Sequence, residues 1–260
     1  MSEPVAITSR DNPLLKRLRV LAQDSSAYRK QGQVWLEGDH LCRALLLRQH
    51  RPELALFAES AWAQADPALK HAAPKIYTVP DTLMAGISGL ESPSGVGFVW
   101  ALPQGQGLQA GVSTVVLDRL QDAGNVGAIL RSAAAMGFAQ VLAIKGTAAL
   151  WSPKVLRAGM GAHFALRLVE GLAPEALSSL GVPLLVTSSH EGEWLHQAAL
   201  PWPCAWVMGH EGQGVGEPIM AMAAQSVRIV QPGGEESLNV AAAAAICLHA
   251  SAIGVQRAPR

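Results

Sequence analysis

An asparagine and an arginine stand out in an otherwise apolar helical stretch. Asn125 and Arg131 are six positions apart in the segment NVGAILRSAAAMG. That spacing is roughly 1.7 helical turns, so the two side chains lie on different sides of one helix, with Asn125 at its start. Because the segment is apolar enough to be buried, we expect Arg131 to have a polar partner or a chemical role. The simpler interpretation is a structural ion pair, for example with Glu211.

Two short apolar runs end at glycine-bearing loops. Residues 205–208 lead into the loop 209–216 (GHEGQGVG), and residues 227–230 lead into the loop 231–239 (QPGGEESLN). The second loop opens into an alanine-rich helix, where an N-cap would by itself explain Ser237. Strand ends that face such loops predict a small-molecule pocket at the carboxyl edge of a parallel sheet. The alternative for the glycines of the first loop is a flexible surface turn.

Two common nucleotide sites are not expected. No GxGxxG follows the first strand of either predicted domain, and the chain contains no GxxxxGK, so the sequence does not favour a dinucleotide site or a P-loop site. The other predicted strand ends carry polar residues that could line the same pocket, namely Asp118, Thr187 and Ser188.

Strands alternate with helices along the whole chain, which predicts an α/β fold in two domains. The uncharged segment 102–111 (LPQGQGLQAG) marks the boundary. We predict an α/β/α domain at 1–102, a linker at 103–111 and a second domain at 112–260 built on buried parallel strands. A basic helix at 13–23 begins with Asn12 as N-cap. Further predicted helices cover 40–49, 61–71, 81–87, 125–136, 153–159 and 174–180, and further predicted strands cover 34–36, 54–58, 75–79, 96–101, 113–117, 140–144, 165–169 and 183–187.

Composition indicates a globular protein with two local basic surfaces. Half of the 260 residues are hydrophobic, 15% are charged and the net charge is zero. Residues 10–30 nevertheless hold six Lys or Arg, and residues 131–167 hold five with no acid. Such segments are typical of phosphate-binding surfaces, with ordinary solvated faces as the alternative. The three cysteines are far apart in the sequence, which predicts reduced thiols and no metal site. No secretory signal or membrane span is expected, which predicts a cytoplasmic protein.

Three segments, in this order, resemble the motifs of the SpoU (TrmH-like) RNA 2′-O-ribose methyltransferases, a family of the knotted SPOUT superfamily. Motif one is similar to 117–138 (LDRLQDAGNVGAILRSAAAMGF), motif two to 207–214 (VMGHEGQG) and motif three to 229–240 (IVQPGGEESLNV). The segment 152–163 resembles the family's connecting segment. Residues 7–16 resemble the start of the L30e-like substrate-binding domain that many members carry, so the resemblance covers nearly the whole chain.

The resemblance implies a C-terminal α/β knot with a parallel sheet, a deep trefoil knot whose last helix threads a loop of earlier chain, behind an N-terminal L30e-like α/β/α domain. It implies S-adenosyl-L-methionine as methyl donor, no metal, structured rRNA or tRNA as partner, and a homodimer through the knotted domain. The implied catalytic residues are Asn125, Arg131, Glu211, Ser237 and Asn239. The implied cofactor-binding residues are Thr187, Ser188, Gly209, Ile229, Gln231 and Leu238. The RNA-binding candidates are Arg10, Lys16, Arg17, Arg19, Lys154 and Arg157.

The implied reaction is an in-line displacement on a ribose 2′-hydroxyl, in which positioning supplies much of the rate gain. The family nominates Arg131 as the base. A guanidinium keeps its proton at neutral pH, so the second hypothesis is a charged Arg131 that stabilises the alkoxide or grips a phosphate. A SPOUT base methyltransferase and an RNA-binding protein without catalysis are the alternative functions.

Motif three departs slightly from the family pattern. Val230 and Gln231 replace a common Pro-Met pair, and residues 241–243 (AAA) replace Ser-Val-Ala. These departures concern the adenine pocket rather than the reaction.

Overall fold

A computed structural model describes residues 3–89, 92–188, 191–233 and 238–257. The chain divides into two compact units, one formed by Met1–Gly105 with Trp151–Phe164 and the other by Gln106–Leu150 with Ala165–Arg260. In chain order the elements are β1 (Val5–Ala6), α1 (Pro13–Gln23), α2 (Ala27–Gln31), β2 (Gln33–Glu37), α3 (Asp39–Leu47), β3 (Leu54–Ala58), α4 (Glu59–Gln64), α5 (Pro67–Lys70), β4 (Ile76–Val79), α6 (Asp81–Ala85), β5 (Val96–Ala101), β6 (Thr114–Leu117), α7 (Ala123–Ala135), β7 (Gln140–Ile144), α8 (Pro153–Gly159), β8 (Arg167–Leu172), β9 (Leu184–Thr187), β10 (Glu193–Trp194), β11 (Ala205–Met208), α9 (Glu217–Met220), β12 (Gln225–Arg228) and α10 (Val240–Arg257), with 3₁₀ helices at Ala162–Ala165 and Pro174–Ser179.

The first unit is built on a five-stranded sheet in the order β1-β4-β3-β5-β2. Strand β4 is parallel to both of its neighbours, whereas β5 is antiparallel to β3 and to β2. The N-terminal helix begins as predicted, because the Asn12 side chain accepts a hydrogen bond from the backbone N–H of Leu14 and Pro13 follows. Its buried face, which includes Leu15 and Leu18, shares a core cluster with Leu56 of β3.

Residues 151–164 belong to the first unit, although they follow two strands of the second unit in sequence. Helix α8 packs against α1 and β2. The buried Trp151 ring lies 5.7 Å from the Trp100 ring, and Trp100 lies 5.5 Å from Phe164 in an edge-to-face contact. The predicted domain 112–260 therefore differs from the second unit, because residues 151–164 lie within the predicted domain but pack in the first unit.

The second unit is a seven-stranded sheet in the order β10-β12-β9-β11-β6-β7-β8, with every pair parallel. The four residues of β6, the five of β7 and the four of β11 are all buried, as expected of parallel strands covered on both faces. Four neighbouring strands contribute aliphatic side chains to the same core cluster, among them Val116, Leu142, Val186 and Val207. The predicted α/β class with a parallel sheet is therefore confirmed.

The last helix packs against α7 and β11. Near its end, the buried Ser251 hydroxyl accepts a hydrogen bond of 2.9 Å from the Trp206 indole of β11. At its start, Asn239 Oδ1 accepts from the backbone N–H groups of Ala241 and Ala242 at 2.9 and 3.3 Å. The N-cap of α10 is therefore Asn239, and Ser237 lies outside the described residues.

Most predicted elements are confirmed, and four of the predicted strands and two of the predicted helices have the bounds found in the structure. The predicted helix 61–71 is wrong in its continuity, because it forms the two short helices α4 and α5. The chain breaks where Asp66 caps the second helix by accepting from the N–H of Ala68, with Pro67 after it. The predicted strands 165–169 and 227–230 are each shifted, to the bounds of β8 and β12. Short elements went unpredicted: β1, α2, β10 and α9.

Cys42, Cys204 and Cys247 are free and buried, and burial raises the pKa of the Cys204 thiol to about 11. In the part of the chain that the structure describes, no helix combines the length and apolar character needed to cross a membrane. The same residues contain no group of three or more His, Cys, Asp or Glu that could hold a metal ion.

Candidate active site at the carboxyl edge of the parallel sheet

The predicted loops meet at one edge of the second unit. Strands β12, β9, β11 and β6 are consecutive neighbours and run parallel, so their carboxyl ends share one edge. Asp118 follows β6, Gly209 follows β11, and Thr187 ends β9. This edge is where open parallel sheets bind ligands, and the pocket predicted from the sequence would lie here.

Glu211 connects the loop after β11 to the start of α7. Its carboxylate accepts hydrogen bonds of 3.2 Å from the backbone N–H groups of Gln121 and Asp122 and from the side-chain amide of Asn125. Burial raises the pKa of this carboxyl, but the hydrogen bonds from the backbone and from Asn125 outweigh it, so the net pKa lies below its ordinary value. The negative charge also lies at a helix N-terminus, where free N–H groups favour anions.

Asn125 joins the two ends of the candidate site. Its Nδ2 donates to Glu211, and its Oδ1 accepts a hydrogen bond of 3.0 Å from Nδ2 of Asn239. Helix α7 begins two residues earlier than predicted, because Asp122 is the N-cap and accepts from the backbone N–H of Asn125 at 2.7 Å. Three of the five predicted catalytic residues are thus in direct contact across more than one hundred positions of sequence.

Arg131 differs from its predicted environment. It is exposed on α7, and among the described residues no hydrogen bond or ion pair joins it to Glu211 or to any other group. The expectation that it is buried, or held in a structural ion pair, is wrong because α7 buries only one face, through Val126, Ile129, Leu130 and Ala133. Its guanidinium is therefore available to a ligand.

The loop residues predicted to hold a cofactor lie along the same edge. Gly209 has no room for a side chain, since a Cβ would lie 2.3 Å from the carbonyl carbon of Gly214. The backbone N–H of Ser188 donates to the Val227 carbonyl at 3.0 Å. Ile229 is half-buried and Leu238 is exposed. Gln231 Oε1 is buried without a hydrogen-bond partner in the described part of the chain, which leaves an acceptor for a donor group of a bound cofactor.

Asp118, which the sequence placed at a strand end of the pocket, and Arg119, which it did not single out, hold the glycine loop in place. The buried Asp118 carboxylate accepts from the backbone N–H of Gly216 at 2.7 Å and from Arg119 Nε at 2.9 Å. Arg119 also donates to the side chain of Gln213 at 3.3 Å, and Asp118 raises the pKa of Arg119 by hydrogen bonding and by charge. An acid–base pair directly after a buried strand was the available signal. Hydrogen bonds to Asp118 and Arg119 therefore hold the loop 209–216 at Gly216 and Gln213.

The six basic candidates all lie in the first unit, on the segment before α1, on α1 and on α8. Lys16 pairs with Asp11 at 2.9 Å, and Arg19 Nε donates to the Gly86 carbonyl at 2.8 Å. Arg10, Arg17 and Lys154 are exposed, and Arg157 is half-buried. The basic residues of α1 and of α8, which are far apart in sequence, thus lie in one unit, where the two helices pack together.

Chemically, the site can orient a hydroxyl group and carry charge. Its hydrogen-bonded core holds the side chains of Asn125 and Glu211 in fixed orientations, and an exposed guanidinium stands on the same helix. Preorganised donors of this kind stabilise charge that develops on an oxygen.

The sequence is similar to a known family of RNA methyltransferases. The model of the SpoU rRNA Methylase family matches residues 113–249. A Synechocystis protein named as an uncharacterized tRNA/rRNA methyltransferase is 32% identical, over 95% of this chain and 93% of its own length.

Two solved structures are similar over nearly the whole chain. One, described as an RNA 2′-O ribose methyltransferase, has a TM-score of 0.79 and 27% identity and covers 97% of this chain and 100% of its own. The other, an AdoMet-bound rRNA methyltransferase from Sinorhizobium meliloti, has a TM-score of 0.81 and 24% identity and covers 95% of this chain and 96% of its own; at that identity the likeness concerns the fold alone.

Proposed function

The chain belongs to the SpoU rRNA methylase family, and from this premise we propose that it transfers a methyl group from S-adenosylmethionine to a ribose 2′-hydroxyl of ribosomal or transfer RNA. The observation that carries the proposal is the contact between Asn125, Glu211 and Asn239 at the carboxyl edge of the parallel sheet. These residues come from three separate motifs, and the hydrogen bonds unite them in one site.

The loops around this set provide the place for the methyl donor. When bound, S-adenosylmethionine supplies an electrophilic methyl group. Gly209 and Ile229 offer backbone groups at the ends of β11 and β12, the two strands that flank β9. The buried Gln231 Oε1 offers an acceptor that has no partner among the described residues. A cofactor N–H group can satisfy that acceptor, so the residues present are suited to this donor.

The acceptor hydroxyl is handled by α7 in this proposal. Asn125 is fixed by Glu211 and Asn239, and it orients the ribose. Arg131 is exposed on the same helix and stays charged, so it stabilises the developing alkoxide or grips the adjacent phosphate. The resemblance also nominates Ser237 as a catalytic residue. Because Ser237 lies outside the described residues, that role is proposed from the sequence alone.

The first unit would hold the RNA through phosphate contacts. The candidates Arg10, Arg17 and Lys154 are exposed, and contacts of this kind position an RNA without reading its sequence. Such binding weakens as salt rises, because each phosphate contact releases a counterion.

Mapping of 2′-O-methyl groups tests the function. RNA from a strain that lacks the gene is compared with wild-type RNA by alkali-resistance mapping, and the purified protein is then incubated with the unmodified RNA and labelled S-adenosylmethionine. We expect one 2′-O-methyl nucleotide to disappear in the deletion strain and to be restored in vitro. Loss of a base methylation with every 2′-O-methyl retained would indicate a base methyltransferase instead.

Calorimetry separates the catalytic proposal from the non-catalytic alternative. Titration with S-adenosylmethionine should give saturable binding with one site per chain. A protein that binds RNA but releases no heat with the methyl donor would be an RNA-binding member without catalysis.

A further inference from the structure

His210 lies at the start of the glycine loop that carries Glu211, and its ring is used inside that loop. The backbone N–H of His210 donates to the Gly214 carbonyl at 3.0 Å, and the N–H of Gly214 donates back to the His210 carbonyl at 2.8 Å. Within the turn closed by this pair, Nδ1 of the His210 ring accepts from the backbone N–H groups of Gly212 and Gln213 at 3.0 and 3.2 Å. The ring therefore satisfies the backbone donors at the tip of the turn.

The hydrogen-bond geometry assigns the tautomer of the neutral ring. A nitrogen that accepts two N–H groups cannot itself carry a proton, so Nδ1 is bare and the proton of the neutral ring is on Nε2. Nδ1 is two bonds from Cβ, which is the same separation as that of the side-chain oxygen in asparagine. The imidazole thus performs the role that Asn and Asp play in tight turns, where the side-chain oxygen accepts from backbone N–H groups a few residues ahead.

The turn shaped by this contact determines where Glu211 lies. Glu211 is the residue next to His210, within the closed turn, and its carboxylate reaches Gln121, Asp122 and Asn125. The far end of the loop is tied separately, through the Gly216 N–H to Asp118. His210 therefore holds, through its hydrogen bonds, the end of the loop that lies next to Glu211.

We propose that His210 is a positioning residue: its bare Nδ1 caps the turn and so presents Glu211 to Asn125. The inference rests on the proposed function for the role of that pair in methyl transfer. The contact between ring and turn stands independently of the reaction.

Two substitutions distinguish the contribution of the imidazole ring from that of its hydrogen-bond acceptor. His210→Phe keeps a ring but has no acceptor, whereas His210→Asn loses the ring and keeps an oxygen at the position of Nδ1. We expect the phenylalanine variant to lower kcat by about tenfold to a hundredfold, with the KM for RNA changed by less than about threefold because the phosphate contacts lie elsewhere. The asparagine variant should keep kcat within about threefold of the wild type.

Equal kcat values for His210→Phe and the wild type would overturn the proposal. So would an asparagine variant as impaired as the phenylalanine variant, because the acceptor would then not be the feature that matters. Melting temperatures of both variants are measured alongside, and a fall in kcat counts only at a temperature where both are folded.

Nitrogen NMR tests the contact between His210 Nδ1 and the turn independently of enzyme activity. In protein labelled with ¹⁵N-histidine, His210 should show an unprotonated, hydrogen-bonded Nδ1 and a protonated Nε2 at neutral pH, assigned by the signals missing in His210→Asn. A protonated Nδ1 would refute the inference. If the wild type methylates no RNA but shows this tautomer, the proposed function fails and the turn cap stands.

Discussion

At the scale of single residues, Glu211 is a carboxylate whose ionised form is favoured by the fold. Its pKa is lowered because hydrogen bonds from backbone N–H groups and Asn125 outweigh the effect of burial. A carboxyl with a depressed pKa stabilises the folded state above its unfolded pKa, and this contribution disappears as the pH falls through the folded value. The wild type should therefore lose stability on acidification more steeply than Glu211→Gln.

Urea unfolding between pH 7 and about pH 3 measures this difference. The free energy of unfolding of Glu211→Gln, subtracted from that of the wild type, should be largest at neutral pH and should shrink towards acid. Parallel pH curves for the two proteins would show that the carboxylate is not held as the hydrogen bonds indicate.

Arg131 should affect methyl transfer without affecting folding. It is exposed and has no partner among the described residues, so Arg131→Ala and Arg131→Lys should change the free energy of unfolding by no more than about 0.5 kcal/mol. The alanine variant should lose about a hundredfold in kcat/KM, as expected when charge stabilisation of a transition state is removed. The lysine variant keeps the charge but lacks the planar fork.

Transfer rate against pH distinguishes the hypotheses for Arg131. A lysine variant with nearly full activity and an unchanged pH profile would contradict a bidentate grip on phosphate. A shift of the profile towards lower pH in the lysine variant would favour the arginine as the base.

Residue types could be predicted from the sequence better than their environments. The family resemblance nominated Asn125, Glu211 and Asn239, and the structure brings them into contact. The exposure of Arg131 could not be predicted, because an apolar segment does not reveal which face of a helix a neighbour covers. The cap formed by His210 was equally invisible, since it depends on a ring nitrogen that substitutes for an Asn oxygen.

At the scale of elements, capping residues and buried runs were the dependable signals. Asn12 with Pro13 predicted the start of α1, and continuous apolar runs predicted β7 and β11 with their observed bounds. The segment 151–164 shows the limit of such reasoning. Its partners in the first unit are distant in sequence, so only the tertiary structure places it there.

Helix α8 should be an energetic part of the first unit. Leu156 on α8 is 2% exposed, and Leu156→Ala should lower the free energy of unfolding by about 2–5 kcal/mol through lost burial and a residual cavity. Leu47 at the end of α3 is the matched control, because it is a helical leucine of the same unit that is 82% exposed. Leu47→Ala should cost no more than about 0.5 kcal/mol.

Chemical denaturation of both leucine variants, followed by tryptophan fluorescence, makes the comparison. The first unit contains Trp100 and Trp151, whose rings are in contact, so its unfolding should be visible. Similar losses of stability in the two variants would mean that α8 is not packed as described.

At the scale of the whole molecule, the parallel sheet places four strand ends along one edge, and the last helix returns to α7 and β11. The α10 start thereby brings Asn239 to Asn125, so the site is completed only when the C-terminal helix is in place. This dependence gives a physical reason for the alanine run at 241–245, because small side chains allow close helix packing. The threading of α10 through a knot is proposed from the family resemblance.

The homodimer is likewise a proposal, and the apolar surface of α10 supports it. Ile246 is 41% exposed and Leu238, just before the helix, is 39% exposed, and exposed aliphatic groups of this size favour burial against another protein surface. We expect light scattering to give about twice the 27.3 kDa chain mass. Ile246→Glu should shift the mass towards one chain, because an unpaired charge would have to be buried at the interface. Leu47→Glu, on the first unit, should leave the dimer intact, and a monomeric wild type or a dimer insensitive to Ile246→Glu would contradict an interface at α10.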